Sequence, residues 1–316
     1  MYAERKPKTR STARASYLIM GTTLDIWAVG TETEAELLTK IERAENAMRA
    51  VERTLSRFDP DSELRRLSLQ VGQWVEVSPI LQNALAIALM AARLTDGAFD
   101  PTVGARMEAL GFDRHYLTGR ADPSGIVARP DTSYRDVELD EEGGRVLLSA
   151  PLLLDLGAVA KGLGVDLANR ELGDVDGALI NAGGDLYARG RDPDGDVWRV
   201  GVENPSAPDG FIGVLVVSDQ AVCTSGGYRR KSPKHPTVHH LLALREDRNP
   251  QGALSATVVA PNAVLADVAA SAAFLLGEEA GLTFLNDLEL AGLIVSADGE
   301  IHRTDPMREV MESWQP

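Results

Sequence analysis

Three charges and three glycines fall within thirteen residues of an otherwise apolar run, LDLGAVAKGLGVD at 154–166. Asp155 stands near its start, Lys161 follows six places on, and Asp166 five beyond that. A segment built only to pack has no use for that pattern. With a strand over 152–156 and a helix over 158–171, Asp155 and Gly157 stand at a strand-to-helix corner. Glycine there lets backbone approach a ligand, and the free N–H groups of a first helical turn attract negative charge. Lys161 lies one turn inside. The plain alternative is a corner that Asp155 merely caps, and the segment alone leaves both open. Neither a Walker sequence nor GxGxxG spacing is present, so the common nucleotide fingerprints do not apply.

A second constellation is LADVAASAAF at 265–274. Asp267 and Ser271 are four apart and share one face of a helix, among alanines that leave room for a ligand. A carboxylate beside a hydroxyl suits a hard cation such as Mg²⁺, completed by carbonyls, waters or phosphate oxygens. The competing reading is an Asp that answers the helix dipole and a Ser that fills space. Two loops, INAGGDL (180–186) and CTSGGYRR (223–230), are either hairpins or cradles of backbone N–H groups. His239 and His240 are adjacent; on a strand they point to opposite faces, so at most one enters a given site, where it can act as a base.

The elements that would carry these residues are legible in outline. YLIMGTTLDIWAVG (17–30) reads as a first strand. Leu37, Ile41, Ala44, Met48, Val51, Leu55 and Phe58 form one helical stripe that ends at FDPDSE. Ser78-Pro79 starts a helix over 79–94 that Gly97 stops. The polar stretch 113–145 predicts short helices and turns without fixed places. Beyond 150, strand-dense segments dominate, with SDQ (218–220) as a hairpin turn, an Ala-rich helix in 261–281 with Asn262 near its cap and Gly277 near its stop, and a closing hairpin in 290–300. Strands and helices do not alternate strictly. The pattern predicts α+β architecture, a mainly antiparallel sheet with flanking helices, in a single domain over 17–316 behind a flexible basic tail at 1–16.

Composition narrows the partners. The chain has 316 residues, 47 acidic against 32 basic, and a net charge of −15, which disfavours nucleic acid and anionic membranes. One lysine, a cation or a helix N-terminus can still hold a phosphate. Cys223 is the only cysteine, so neither an intramolecular disulfide nor a cysteine zinc cluster is available. No apolar window reaches membrane-spanning length, and a cytoplasmic location is expected.

Taken in order, MGT, FDPDSEL, TDGAFDPTVG, LDLGAVAKGLGVD, ALINAGGDLYARG, VWRVGVENP, AVCTSGG and LADVAASAAFLLG resemble the ApbE family, the FAD:protein FMN transferases. The resemblance runs from Met20 to Gly277. It implies an enzyme that cleaves the pyrophosphate of FAD with a divalent metal, usually Mg²⁺, passes FMN to a threonine of a target protein and releases AMP. Carried over by position, it implies a metal held by the carbonyl of Ala158, the carboxylate of Asp267 and the hydroxyl of Ser271. FAD would contact Met20, Ala98, Phe99, Asp100, Asp155 and Lys161, with Thr224, Ser225 and Gly226 close by. Ser62 and Glu63 would serve the folding of the site. His240 would be the base for the acceptor threonine.

Three departures are visible. The family's His-Ile-Ile-Asp-Pro is here His240-Leu241-Leu242-Ala243-Leu244, Ser271 stands where threonine is usual, and Gly227 replaces a frequent acidic residue. The altered histidine motif leaves two other expectations in view: an FAD pyrophosphatase that uses water as acceptor, and an FAD-binding protein without turnover.

Overall fold

The computed structural model describes residues 10–207, 210–228, 232, 234–235, 239 and 252–314. It opens with a hairpin of β1 (Ser11–Ile19) and β2 (Thr22–Gly30). Met20 and Gly21 at its tip both have positive φ, 49° and 74°, the sign pattern that matches strand twist in a two-residue turn. Because β1 starts at Ser11, the segment from 11 to 16 is sheet and not the tail expected from its basic residues. Its backbone pairs with β2 from Ser11↔Gly30 onward, which the alternation in 11–19 permits.

α1 (Glu34–Leu55) begins with a capping box between Thr33 and Glu36 and buries the predicted stripe as far as Leu55. α2 (Glu63–Ser68) is capped by Ser62. After the short β3 (Trp74–Glu76), α3 (Pro79–Leu94) starts at the Ser78 cap with proline in its first turn, as predicted. α4 (Gly104–Ala109) follows. The polar stretch then yields a hairpin, β4 (Val137–Asp140) and β5 (Arg145–Leu148), before α5 (Gly157–Glu171).

The second half runs β6 (Gly177–Ala182), β7 (Asp185–Gly190), β8 (Trp198–Glu203), β9 (Phe211–Val217), β10 (Gln220–Gly226) and β11 (Ala253–Ala260). The 223–226 segment is therefore the end of a strand, not a loop. The Ala-rich helix is α6 (Ala263–Leu276), which starts at the Asn262 cap and stops at Gly277, as predicted; a further helix, α7 (Glu278–Asp287), follows Gly277 at φ 82°. β12 (Ala291–Ser296), β13 (Ile301–Arg303), α8 (Asp305–Val310) and β14 (Met311–Trp314) complete the described chain.

The main sheet has eight strands in the order β1-β2-β6-β7-β10-β11-β12-β13, and its described pairings are antiparallel. Alternate side chains serve opposite faces. On one face Ala256, Val258, Ala221 and Cys223 join Ile41, Met48, Val165 and Phe274 from α1, α5 and α6. On the other, Val222, Val259 and Leu293 pack against Trp198 and Leu215 of a three-stranded sheet, β14-β9-β8. A further apolar cluster joins α3, β4 and β5 to the N-terminal half of α5 through Leu85, Val146 and Val159. The fold is α+β, as predicted. Among the described residues, no helix is long and apolar enough to cross a membrane.

Candidate active site

The corner at 154–157 forms without a strand. Leu152, Leu153 and Leu154 are buried, but their backbone groups are used by helix ends and not by a neighbouring strand. Leu153 O accepts from Gly104 N at 3.0 Å, and Leu154 N donates to Ser68 Oγ at 3.3 Å. An apolar run of strand length thus lies in the core with no ladder partner. Asp155 Oδ1 then accepts the Gly157 N–H at 2.8 Å, while its Oδ2 meets Arg57 Nε at 2.5 Å. Arg57, itself buried, lies over the Phe58 ring at 4.1 Å. Asp155, one residue ahead of the Leu156 cap position, thus takes the first N–H of α5, and its charge is matched by Arg57.

Two helices meet just beyond. A Cβ at Gly162 would lie 2.5 Å from Ala263 O and 2.6 Å from Val264 Cα, so only glycine lets α5 and α6 touch there. Asp166 fixes the contact by accepting the N–H groups of Ala263 at 2.8 Å and Val264 at 3.0 Å. Asn262 adds the cap to Leu265 N at 2.9 Å. The charge that ended the sequence pattern therefore serves the neighbouring helix.

That seating carries Asp267 to α5. Asp267 is 1% exposed, and its Oδ2 accepts the Gly162 N–H at 3.0 Å. In an α-helix the N–H of residue 162 faces the carbonyl of residue 158. The Asp267 carboxylate thus meets α5 one helical turn beyond Ala158. One turn along α6, Ser271 Oγ is 2.8 Å from Ser225 Oγ. Carboxylate and hydroxyl thus lie one turn apart on α6, and the carboxylate reaches α5 four residues beyond Ala158. Both are oxygen donors of the kind a hard cation takes.

The counter-charge is Lys161. Its ammonium pairs closely with Asp185 and lies 3.4 Å from Asp267 Oδ1. Asp185 also accepts the Thr224 N–H at 3.3 Å, and Thr224 Oγ1 is 2.9 Å from Thr257 Oγ1. Burial pushes the Asp267 carboxyl up against the opposing pull of Lys161. Burial alone would lower the Lys161 ammonium, but the two carboxylates raise it above the ordinary lysine range. Sequence reasoning singled out the INAGGDL loop but not Asp185 within it. The available signal was a carboxylate placed directly after a tight Gly183-Gly184 turn, both at positive φ.

The remaining predicted residues divide. Asp100 spends Oδ1 on Thr102 N and Oγ1, at 2.8 and 2.7 Å, and Oδ2 on Tyr134 N at 2.9 Å. Burial still raises its carboxyl, and its visible work is to hold the turn that follows it, at Pro101-Thr102, against Tyr134. That turn touches the corner through Pro101 O, which accepts the Asp155 N–H at 2.8 Å. Met20 donates its N–H to Glu52 Oε1 at 2.7 Å, and its Cε lies 3.6 Å from the Cβ position of Gly164 on α5. Ser62 accepts the Arg65 N–H at 3.0 Å, and Glu63 accepts the Ser78 N–H and hydroxyl at 2.6 and 2.5 Å. Both serve helix starts, consistent with a role in folding. His240, with Ala243 and Leu244, lies outside the described residues.

His239 is described, and its ring meets Phe274 edge-on with centroids 5.4 Å apart. Burial pushes its pKa from 6.5 down to about 4, so the ring is neutral at pH 7. The unfolded chain takes up the proton first. The stabilisation is therefore complete above pH 6.5 and is lost as pH falls through 4. His239→Phe is expected to remove about 2 kcal/mol of acid sensitivity over that window, a full-burial figure reduced for a half-buried ring. Denaturant melts from pH 7 to pH 4 measure it.

An α+β protein with an oxygen-lined, charge-paired site where two helices meet the end of an antiparallel sheet is the class these features define. The chain belongs to the ApbE family, whose model matches residues 20–294. It is 31% identical over 252 residues to an FAD:protein FMN transferase of Rhodobacter capsulatus, covering 78% of this chain and 48% of that relative. The match therefore spans about half the length of that protein. It is also 31% identical over 308 residues to an FAD:protein FMN transferase of Treponema pallidum, covering 89% of this chain and 83% of the relative. The crystal structure of the ApbE protein from Thermotoga maritima superposes with a TM-score of 0.84 at 26% identity, covering 96% of this chain and all of that one.

Proposed function

We propose that the protein is a metal-dependent FAD:protein FMN transferase whose acceptor is a threonine hydroxyl. One observation carries the reading: the buried Asp267 carboxylate bonds to Gly162 N, one helical turn from Ala158, beside the Lys161 ammonium. The family membership and the names of its relatives support it.

Asp267, Ser271 and the Ala158 carbonyl would hold the cation, with Mg²⁺ the natural occupant because a single protein carboxylate leaves most positions to water and phosphate. When bound, such an ion neutralises the diphosphate and polarises the phosphorus under attack. Lys161 binds the diphosphate from the α5 side, and Asp155 and the 98–100 turn contact the cofactor beyond it. The hydroxyl oxygen of the acceptor threonine bonds to the FMN phosphorus, the P–O bond to AMP breaks, and His240 takes the hydroxyl proton. The deciding experiment incubates the protein with FAD and Mg²⁺, with and without a threonine-bearing acceptor, and weighs all products. FMN-labelled acceptor together with AMP is expected. FMN and AMP at a rate indifferent to acceptor would select hydrolysis, which the altered residues after His240 favour, and intact FAD would refute both.

A further inference from the structure

Lys161 has two buried carboxylates within reach and is not shared equally between them. It pairs closely with Asp185 and stays at 3.4 Å from Asp267. Asp185 is 3% exposed and held on both sides. It follows the Gly183-Gly184 turn, which Asn181 fixes by accepting the Gly184 N–H at 2.8 Å. Its second oxygen takes the Thr224 N–H at 3.3 Å, so the carboxylate is tied to the end of β10. An ion pair strengthens as separation falls, steeply where water is excluded. The nearer partner therefore decides where the ammonium rests.

We infer that Asp185 is a positioning residue that holds Lys161 away from Asp267, leaving the Asp267 carboxylate available to a divalent cation. The inference rests on the reading of Asp267 as a cation ligand. Without the Asp185 charge, the ammonium has one buried carboxylate left beside it. It settles on Asp267, and an incoming cation must displace it. Asp185 itself needs no contact with cation or substrate. A merely structural Asp185, or one acting only through its field on the cation, makes a different prediction, because neither effect depends on Lys161.

Mn²⁺ binding to the full chain, without FAD and followed by electron paramagnetic resonance, reads this directly in the wild type, Asp185→Asn, Lys161→Met and the double variant. Asp185→Asn is expected to weaken Mn²⁺ about tenfold or more, and the same substitution in the Lys161→Met background less than about threefold. An equal loss in both backgrounds overturns the inference. If Asp185→Asn does not fold, Asp185→Ser is compared in the same two backgrounds. Asp267→Ala separates the two levels. If it abolishes Mn²⁺ binding while Asp185→Asn costs the same in both backgrounds, the cation site stands and only the role of Asp185 falls. If Mn²⁺ binds Asp267→Ala as it binds the wild type, both fall.

Discussion

Alanine at position 267 is expected to lower FMN transfer on the order of a thousandfold while leaving the protein folded. The loss follows from removing the one carboxylate of the proposed cation set. Stability responds differently because two effects oppose. The variant removes the 3.0 Å acceptor of the Gly162 N–H, a cost of about 1 kcal/mol because that donor still faces the carbonyl one turn back in α5. It also removes a buried charge whose ionised form burial disfavours, and Lys161 keeps Asp185 as its partner. Thermal melting within a few degrees of wild type, beside an inactive enzyme, is the expected pair of results. Retained flavin labelling in Asp267→Ala would sink the assignment.

The second large effect is expected from Gly162→Ala, which touches no proposed ligand. The added methyl meets backbone at 2.5 and 2.6 Å, and backbone cannot rotate away as a side chain can. Helix propensity gains up to about 1 kcal/mol from Gly to Ala, but overpacking costs about 1–3 kcal/mol or more. The two helices must part, and Asp267 moves with α6 away from the first turn of α5. A displacement near 1 Å lowers catalysis about a hundredfold. Weaker Mn²⁺ binding, a lower melting temperature and reduced transfer should appear together. Wild-type cation affinity in this variant would show that the helix contact does not set the site.

Much of this was legible in the sequence because it rests on local physics. Ser78-Pro79 and the Leu37–Leu55 stripe declare helices through capping and periodicity, and the i, i+4 spacing of Asp267 and Ser271 places both on one helical face. The errors arose where tertiary context chose the partner. Leu152–Leu154 has a strand's apolar content, yet its hydrogen bonds go to Gly104 and Ser68. The five basic residues within the first fourteen positions suggested a solvated tail, but an edge strand also accommodates charge, as where Arg14 pairs with Asp25 at 3.2 Å. Asp185 escaped notice because nothing in its neighbours along the chain says that it will face Lys161, twenty-four positions away. Asp166 looked like part of a ligand corner and is instead a cap for the next helix.

The apolar clusters have a consequence of their own. Helix α1 contributes Met48 to one and Val51 to the next, α5 divides between Val165 and Val159, α6 between Ala266 and Val268, and Met20 packs against both. Lys161 and Asp267 stand on that seam. A ligand gripped there ties two halves of the interior to each other, so its binding energy resists their separate opening. Amide exchange should slow in α3 and in β11 alike when the site fills, although neither element supplies a proposed ligand.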